Sequence, residues 1–272
     1  MTLSHLDLAR QVSGLFASLP QVEAVTLGGS RANSKASTDS ASDIDVYVYT
    51  RAAVPLVARH KIVERLGGAT RADLGLEYWG PGDEWFHAPT GIEIDIVYFD
   101  ATWMEEQLTR VIEQHQASMG YSTCFWHTVR QSIVLHDPNG WFAVLQHNAR
   151  VEYPEALRQN IISLNQPVLR QIIPSYAFQI EKAAKRGDLV SVNHRLAALL
   201  ASYFDILFAF NRQLHPGEKR MLEFALQNCA ALPENFEADL TAVLRAAGAD
   251  LPALPRLVDT LLNHLESLIA SE

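Results

Sequence analysis

Apolar positions recur at three- and four-residue steps through Leu8, Val12, Leu15 and Leu19, which predicts an amphipathic helix over residues 3–19, closed by Pro20. Residues 22–27 read as a short strand running into Gly28-Gly29-Ser30. The stretch 33–42 is rich in Ser, Ala and Thr and reads as a loop. Residues 44–49 (Ile-Asp-Val-Tyr-Val-Tyr) form a strong strand pattern, and residues 92–99 a second one. Between them the pattern predicts a helix over 54–66 that stops at Gly67-Gly68, a strand over 74–79, and a turn-rich loop over 80–89. A helix over 101–116 and a short strand over 133–135 follow.

Beyond about residue 150 strand patterns vanish. Helical periodicity runs from Pro154 to the end, interrupted at Pro174, Gly187, Pro216-Gly217, Pro233, Gly248 and Pro252. Mixed strands and helices followed by helices alone predict two segregated domains. The first, residues 1–150, is α/β (α+β) with a small mixed sheet. The second, residues 151–272, is an all-α helical bundle.

Composition narrows the partners. The net charge of −9 argues against long nucleic acid, which is gripped through a basic face. Cys124 and Cys229 are far apart and belong to no zinc-type spacing, and the ten histidines show no HExxH. The two thiols, the absence of a basic-then-apolar start and the lack of a long apolar run predict a cytoplasmic protein with no membrane span. A monomer and a homodimer both remain open.

The strongest chemical signal is acidic. Strand side chains alternate between faces, so Asp43 and Asp45 share one face, with Ile44, Val46 and Val48 on the other. Glu93 and Asp95 repeat the pattern on the later strand. Aspartate is depleted in strands, and if these two strands are neighbours their carboxylates converge and repel unless a cation intervenes. Magnesium prefers oxygen ligands and commonly uses one or two carboxylates plus substrate phosphates. Upstream, the glycine pair lets backbone approach a ligand, its N–H groups suit phosphate oxygens, and Ser30 adds a hydroxyl.

The order Gly29-Ser30, then Asp43-x-Asp45 on a strand, then Asp95 on a later strand resembles the DNA polymerase β-type nucleotidyltransferase superfamily. The resemblance covers about residues 20–100. The helical half is similar, in architecture alone, to the substrate-side domain of aminoglycoside and lincosamide adenylyltransferases. The resemblance implies that Asp43, Asp45 and Asp95 are catalytic and hold two Mg2+ ions, with Asp95 also helping to activate the acceptor. It implies that Gly29 and Ser30 hold the β/γ-phosphates; Arg31 beside them is a further candidate nucleotide contact. The reaction it implies is transfer of a nucleoside monophosphate, AMP from ATP, to a hydroxyl of a small-molecule acceptor. A protein-modifying enzyme of the toxin–antitoxin kind and a catalytically inactive nucleotide-binding relative are the alternatives. Asp95, Glu93 and Glu77 are all open as general base.

Several other residues stand out. Lys219 and Arg220 are expected to open a helix after Pro216-Gly217, where cations oppose the helix dipole, and Lys219 is a candidate triphosphate contact. Asp205 interrupts an apolar helix and reads equally as a substrate ligand or as part of a buried network. Asp83-Glu84-Trp85 reads as a solvated loop with one anchoring tryptophan.

Overall fold

In the computed structural model, which describes residues 3–29 and 43–271, the chain opens on helix α1 (His5–Phe16). Ser4 sets its start: the hydroxyl accepts the Asp7 backbone N–H at 3.1 Å, and Asp7 suits the positive end of the helix. Strands β1 (Val22–Leu27) and β2 (Ile44–Thr50), helix α2 (Leu56–Arg65), and strands β3 (Ala69–Leu76), β4 (Gly82–His87) and β5 (Glu93–Asp100) follow. Next come α3 (Ala101–Ile112), α4 (Cys124–Gln131), β6 (Ile133–His136) and α5 (Trp141–Asn148). The strands form one six-stranded mixed sheet in the order β3-β4-β5-β2-β1-β6. Neighbours β2 and β5 run parallel, and the other pairs are antiparallel. Ile44, Val46 and Val48 of β2, Ile94, Ile96 and Tyr98 of β5, and Trp85 of β4 pack with Leu8, Val12 and Phe16 of α1 and Ile62 and Val63 of α2 in a single core.

Residues 69–89 depart from the sequence expectation. The strand expected at 74–79 starts at Ala69 and ends at Leu76, and the segment expected as a loop contains β4. Turn-forming Gly80, Pro81 and Pro89 mask a two-residue period: Asp83, Trp85 and His87 are buried, while Glu84 and Phe86 face the other side. Strand β4 lies between β3 and β5, so hydrogen-bonding partners on both edges stabilise what local propensity does not. Asp83-Glu84-Trp85 is therefore mid-strand and not a solvated loop. Asp83 is only 1% exposed, and three groups converge on it. Its Oδ1 accepts the Gly75 N–H at 2.8 Å and Arg59 at 3.3 Å, and its Oδ2 accepts the Tyr98 hydroxyl at 2.5 Å. The Arg59 guanidinium also lies 4.1 Å from the centre of the Tyr98 ring.

By contacts the chain divides into two units. One comprises the described residues through Leu108 plus 128–151. The other comprises 109–127 plus the described residues from Glu152 on. The boundary falls inside α3 and inside α4. The second unit contains α6 (Glu155–Gln166), a π-helical turn (Pro167–Gln171), α7 (Tyr176–Lys185), α8 (Leu189–Phe210), α9 (Met221–Asn228), α10 (Phe236–Ala249) and α11 (Leu254–Ala270). Helix α8 is its axis. Asp188 caps it by accepting the Ser191 N–H at 3.0 Å, and every residue from Ser202 to Phe210 is buried. A helix apolar all round must be wrapped on all sides, and the surrounding helices supply Ile180, Phe236, Val243, Val258 and Leu262. No helix among the described residues is long and apolar enough to cross a membrane. Both cysteines are free thiols, and burial pushes each up to about 11.

Asp205 belongs to a buried network. It accepts the Ser122 N–H at 3.0 Å and the Ser122 hydroxyl at 2.6 Å. Nearby, Asn165 accepts the Gly120 N–H at 3.0 Å and donates to the Ser118 carbonyl at 2.9 Å. The backbone groups of Ser118, Gly120 and Ser122 thus find partners inside the helical unit. Burial pushes the Asp205 carboxyl up to about 7, with the Ser122 hydrogen bonds acting in the opposite sense.

These two buried acids give contrasting predictions. Asp83→Ala removes the carboxylate partner of Arg59, the Gly75 N–H and the Tyr98 hydroxyl, and is expected to cost about 3 kcal/mol in urea unfolding; a loss under about 1 kcal/mol would show that the cluster is dispensable. Asp205 is protonated in the folded state between its ordinary 3.8 and about 7. The folded state therefore holds the extra proton in that window, and this group's contribution to stability falls as pH rises, by about 1.4 kcal/mol per pH unit. Asp205→Asn should remove that component, flattening the urea midpoint against pH relative to wild type. Equal slopes would assign the effect to another group.

Candidate active site

The register of the parallel pair β2 and β5 builds the acidic site. Asp45 lies directly opposite Asp95, between the pairs Ile44–Ile94 and Val46–Ile96. The isoleucines and valine enter the core, so the aspartates are carried on the other face, each half-buried. The row continues across the sheet: Asp95 is opposite Glu84 of β4, and Glu84 is opposite Asp73 of β3. Asp73 is neutralised locally by Arg71, at 3.1 Å. Asp43 is half-buried just before β2, and Glu93 is exposed at the start of β5. Glu77 is exposed beyond the end of β3.

The glycine turn packs directly onto this row. The Gly28 N–H donates to the Asp45 carbonyl at 2.8 Å. A Cβ on Gly28 would lie 2.1 Å from the Tyr47 ring, and a Cβ on Gly29 would lie 1.7 Å from Asp45 Oδ2. Gly29 also has φ +60°, in the left-handed region where glycine is at no disadvantage. Both glycines are thus required by contact with named side chains. Tyr47 registers the charge of the site. Burial raises its phenol well above the ordinary range, Asp45 raises it further, and Asp95 and Asp43 add to this, while a hydrogen bond from the Gly29 backbone acts the other way.

Carboxylate oxygens in this setting suit a hard divalent cation. Asp45 and Asp95 supply two on adjacent strands, which is the number magnesium commonly takes from protein when phosphates complete its shell. No group of three or more His, Cys, Asp or Glu among the described residues is arranged as a metal-ligand set. The expected nucleotide contacts Ser30 and Arg31 lie outside the described residues. Lys219 belongs to the helical unit and is exposed in the turn before α9. That helix starts at Met221, not at Lys219 and Arg220. Arg220, at φ 55°, is its N-cap and pairs with Glu223 at 3.9 Å. The pairing relieves the conflict of a cation with the helix dipole that the sequence suggests.

Sequence reasoning missed Tyr47 and the alignment of Glu84 and Asp73. The two-residue period already put Tyr47 on the face of Asp45. The place of Glu84 depends on strand pairing, which local sequence does not encode.

Residues 123–221 match a protein family described as a domain of unknown function (DUF4037). No curated protein matches the chain. Among solved structures, a nucleotidyltransferase-like protein from Exiguobacterium sibiricum is similar at 13% identity and a TM-score of 0.43, covering 97% of this chain and 73% of that one.

A pair of glycine substitutions tests the packing of the turn. Gly29→Ala forces a left-handed alanine against Asp45 and is expected to cost about 1–3 kcal/mol. Gly14→Ala, with nothing within 4 Å of the added Cβ inside α1, should instead stabilise by up to about 1 kcal/mol. Equal urea midpoints for the two variants would contradict the close approach at Gly29.

Proposed function

We propose that the chain is a magnesium-dependent nucleotidyltransferase that moves a nucleoside monophosphate, AMP from ATP, onto a hydroxyl of a small-molecule acceptor. The observation that carries this reading is the Asp45–Asp95 pair in register on parallel strands with the Gly28-Gly29 turn packed on Asp45. A carboxylate pair addresses cations, a glycine turn addresses phosphate, and a metal–triphosphate needs both within one site.

In the proposed reaction the acceptor oxygen attacks the α-phosphorus in line. The bond from that phosphorus to the bridging oxygen breaks, and pyrophosphate leaves. Magnesium, when bound, would neutralise charge on the triphosphate and the departing oxygen. Asp45 and Asp95 would hold it, and Asp43, two residues before Asp45, is the third carboxylate proposed for it. The acceptor proton passes to a carboxylate of the site, with Asp95 the first choice because it is half-buried in the row and Glu93 and Glu77 are exposed. Ser30 and Arg31, which follow the turn in sequence, would orient the phosphates. Catalysis of this kind is mainly positioning and charge stabilisation.

The deciding measurement is thermal unfolding with ATP, GTP, CTP or UTP, with and without magnesium. At a hundredfold excess over Kd a ligand specific for the folded state adds about 2.7 kcal/mol. ATP should raise the melting temperature by several degrees with magnesium, and an Asp45→Ala/Asp95→Ala double variant should lose that response. If no nucleotide shifts the wild type, or if the double variant responds equally, the reading fails.

A further inference from the structure

Tyr47 follows Asp45 on the same face of β2 and is braced from both sides. Thr26 of β1 and Val97 of β5 are its register partners, and the Phe99 ring meets it edge-on at 5.6 Å between centres. Braced in this way, the phenol end lies where a side chain at position 28 would go: a Cβ there would be 2.1 Å from Cε2 and 2.7 Å from the hydroxyl oxygen. The same hydroxyl is hydrogen-bonded by the Gly29 backbone. One side chain therefore touches both glycines of the turn, while the turn is tied to Asp45 by the Gly28 N–H.

Packing alone does not explain a tyrosine here. A phenylalanine would fill the same half-buried space without placing a hydroxyl near Asp45, Asp95 and Asp43, and withdrawing a polar group from water is unfavourable unless it gains a partner. The partner it gains is the Gly29 backbone. We propose that Tyr47 is a positioning residue: it fixes the Gly28-Gly29 turn against Asp45, and so holds in place the carboxylate pair that addresses one bound nucleoside triphosphate. The identity of the ligand rests on the nucleotidyltransferase reading, whereas the holding of the turn does not.

The test separates those two parts. In Tyr47→Phe, hydrogen–deuterium exchange without ligand should speed up about 5- to 10-fold in peptides spanning Gly28 and Gly29, with the urea midpoint unchanged. Affinity for magnesium and a non-hydrolysable ATP analogue should fall about 10-fold. A merely structural tyrosine would instead move the midpoint and leave exchange and affinity in step with it. A second pair of variants covers the ring. Gly28→Ala should destabilise, and combining it with Tyr47→Leu should cost less than the sum of the two. Unchanged exchange in Tyr47→Phe, or additive costs in the double variant, overturns the positioning. Faster exchange with wild-type affinity overturns its role in nucleotide binding. Wild-type protein that binds no nucleotide at all overturns the ligand, and the exchange result alone then decides whether Tyr47 holds the turn.

Discussion

The Asp45–Asp95 register puts like charges directly opposite each other on neighbouring strands, which by itself weakens a sheet. What holds the register is the other face. Sliding β2 by one residue against β5 would carry Asp45 into the space of Ile44 or Val46, among fully buried apolar side chains. The penalty for burying a carboxylate there far exceeds the repulsion between two half-buried ones. Core and site are thus opposite faces of one constraint. Glu84 and Asp73 extend the same row because β4 and β3 obey the same alternation.

The same economy of buried polar groups operates in the helical unit with a different outcome. Asp83 is satisfied by an arginine, a phenol and a backbone amide. Asp205 accepts instead from the Ser122 amide and hydroxyl, with Asn165 at 3.5 Å. Burial accordingly dominates its protonation. Two aspartates of similar burial therefore do different work: one anchors a cation under the sheet, the other receives the donors of a loop.

Much of this was legible beforehand. Strands β1, β2 and β5 are uninterrupted by proline and rich in β-branched or aromatic residues, and their ends were read to within a residue or so. Strand alternation put Asp43 with Asp45 and Glu93 with Asp95, but their meeting depended on β2 and β5 being neighbours; the glycine pair read as a close approach to a ligand, whereas the contacts that require it are with Tyr47 and Asp45. What was not legible depends on non-local pairing. The turn residues around β4 disguised a strand that two neighbours stabilise. The partnership of Glu84 with Asp95 exists only once strand order is fixed. Likewise the sequence left Asp205 undecided, because its partner Ser122 lies 83 positions away.

The division of the chain into its two units has a bearing on inheritance. The path leaves the sheet-bearing unit within α3 and re-enters it within α4. Residues 128–151 complete the sheet with β6, while 109–127 deliver Ser122 to Asp205 and Gly120 to Asn165. Modules strung like beads can be shuffled by a single genetic crossover in the linker. Here one crossover anywhere between the units would orphan either an edge strand or the donors of a buried acid. The two units therefore have to travel together through recombination, and a change in one is always tested in the company of the other.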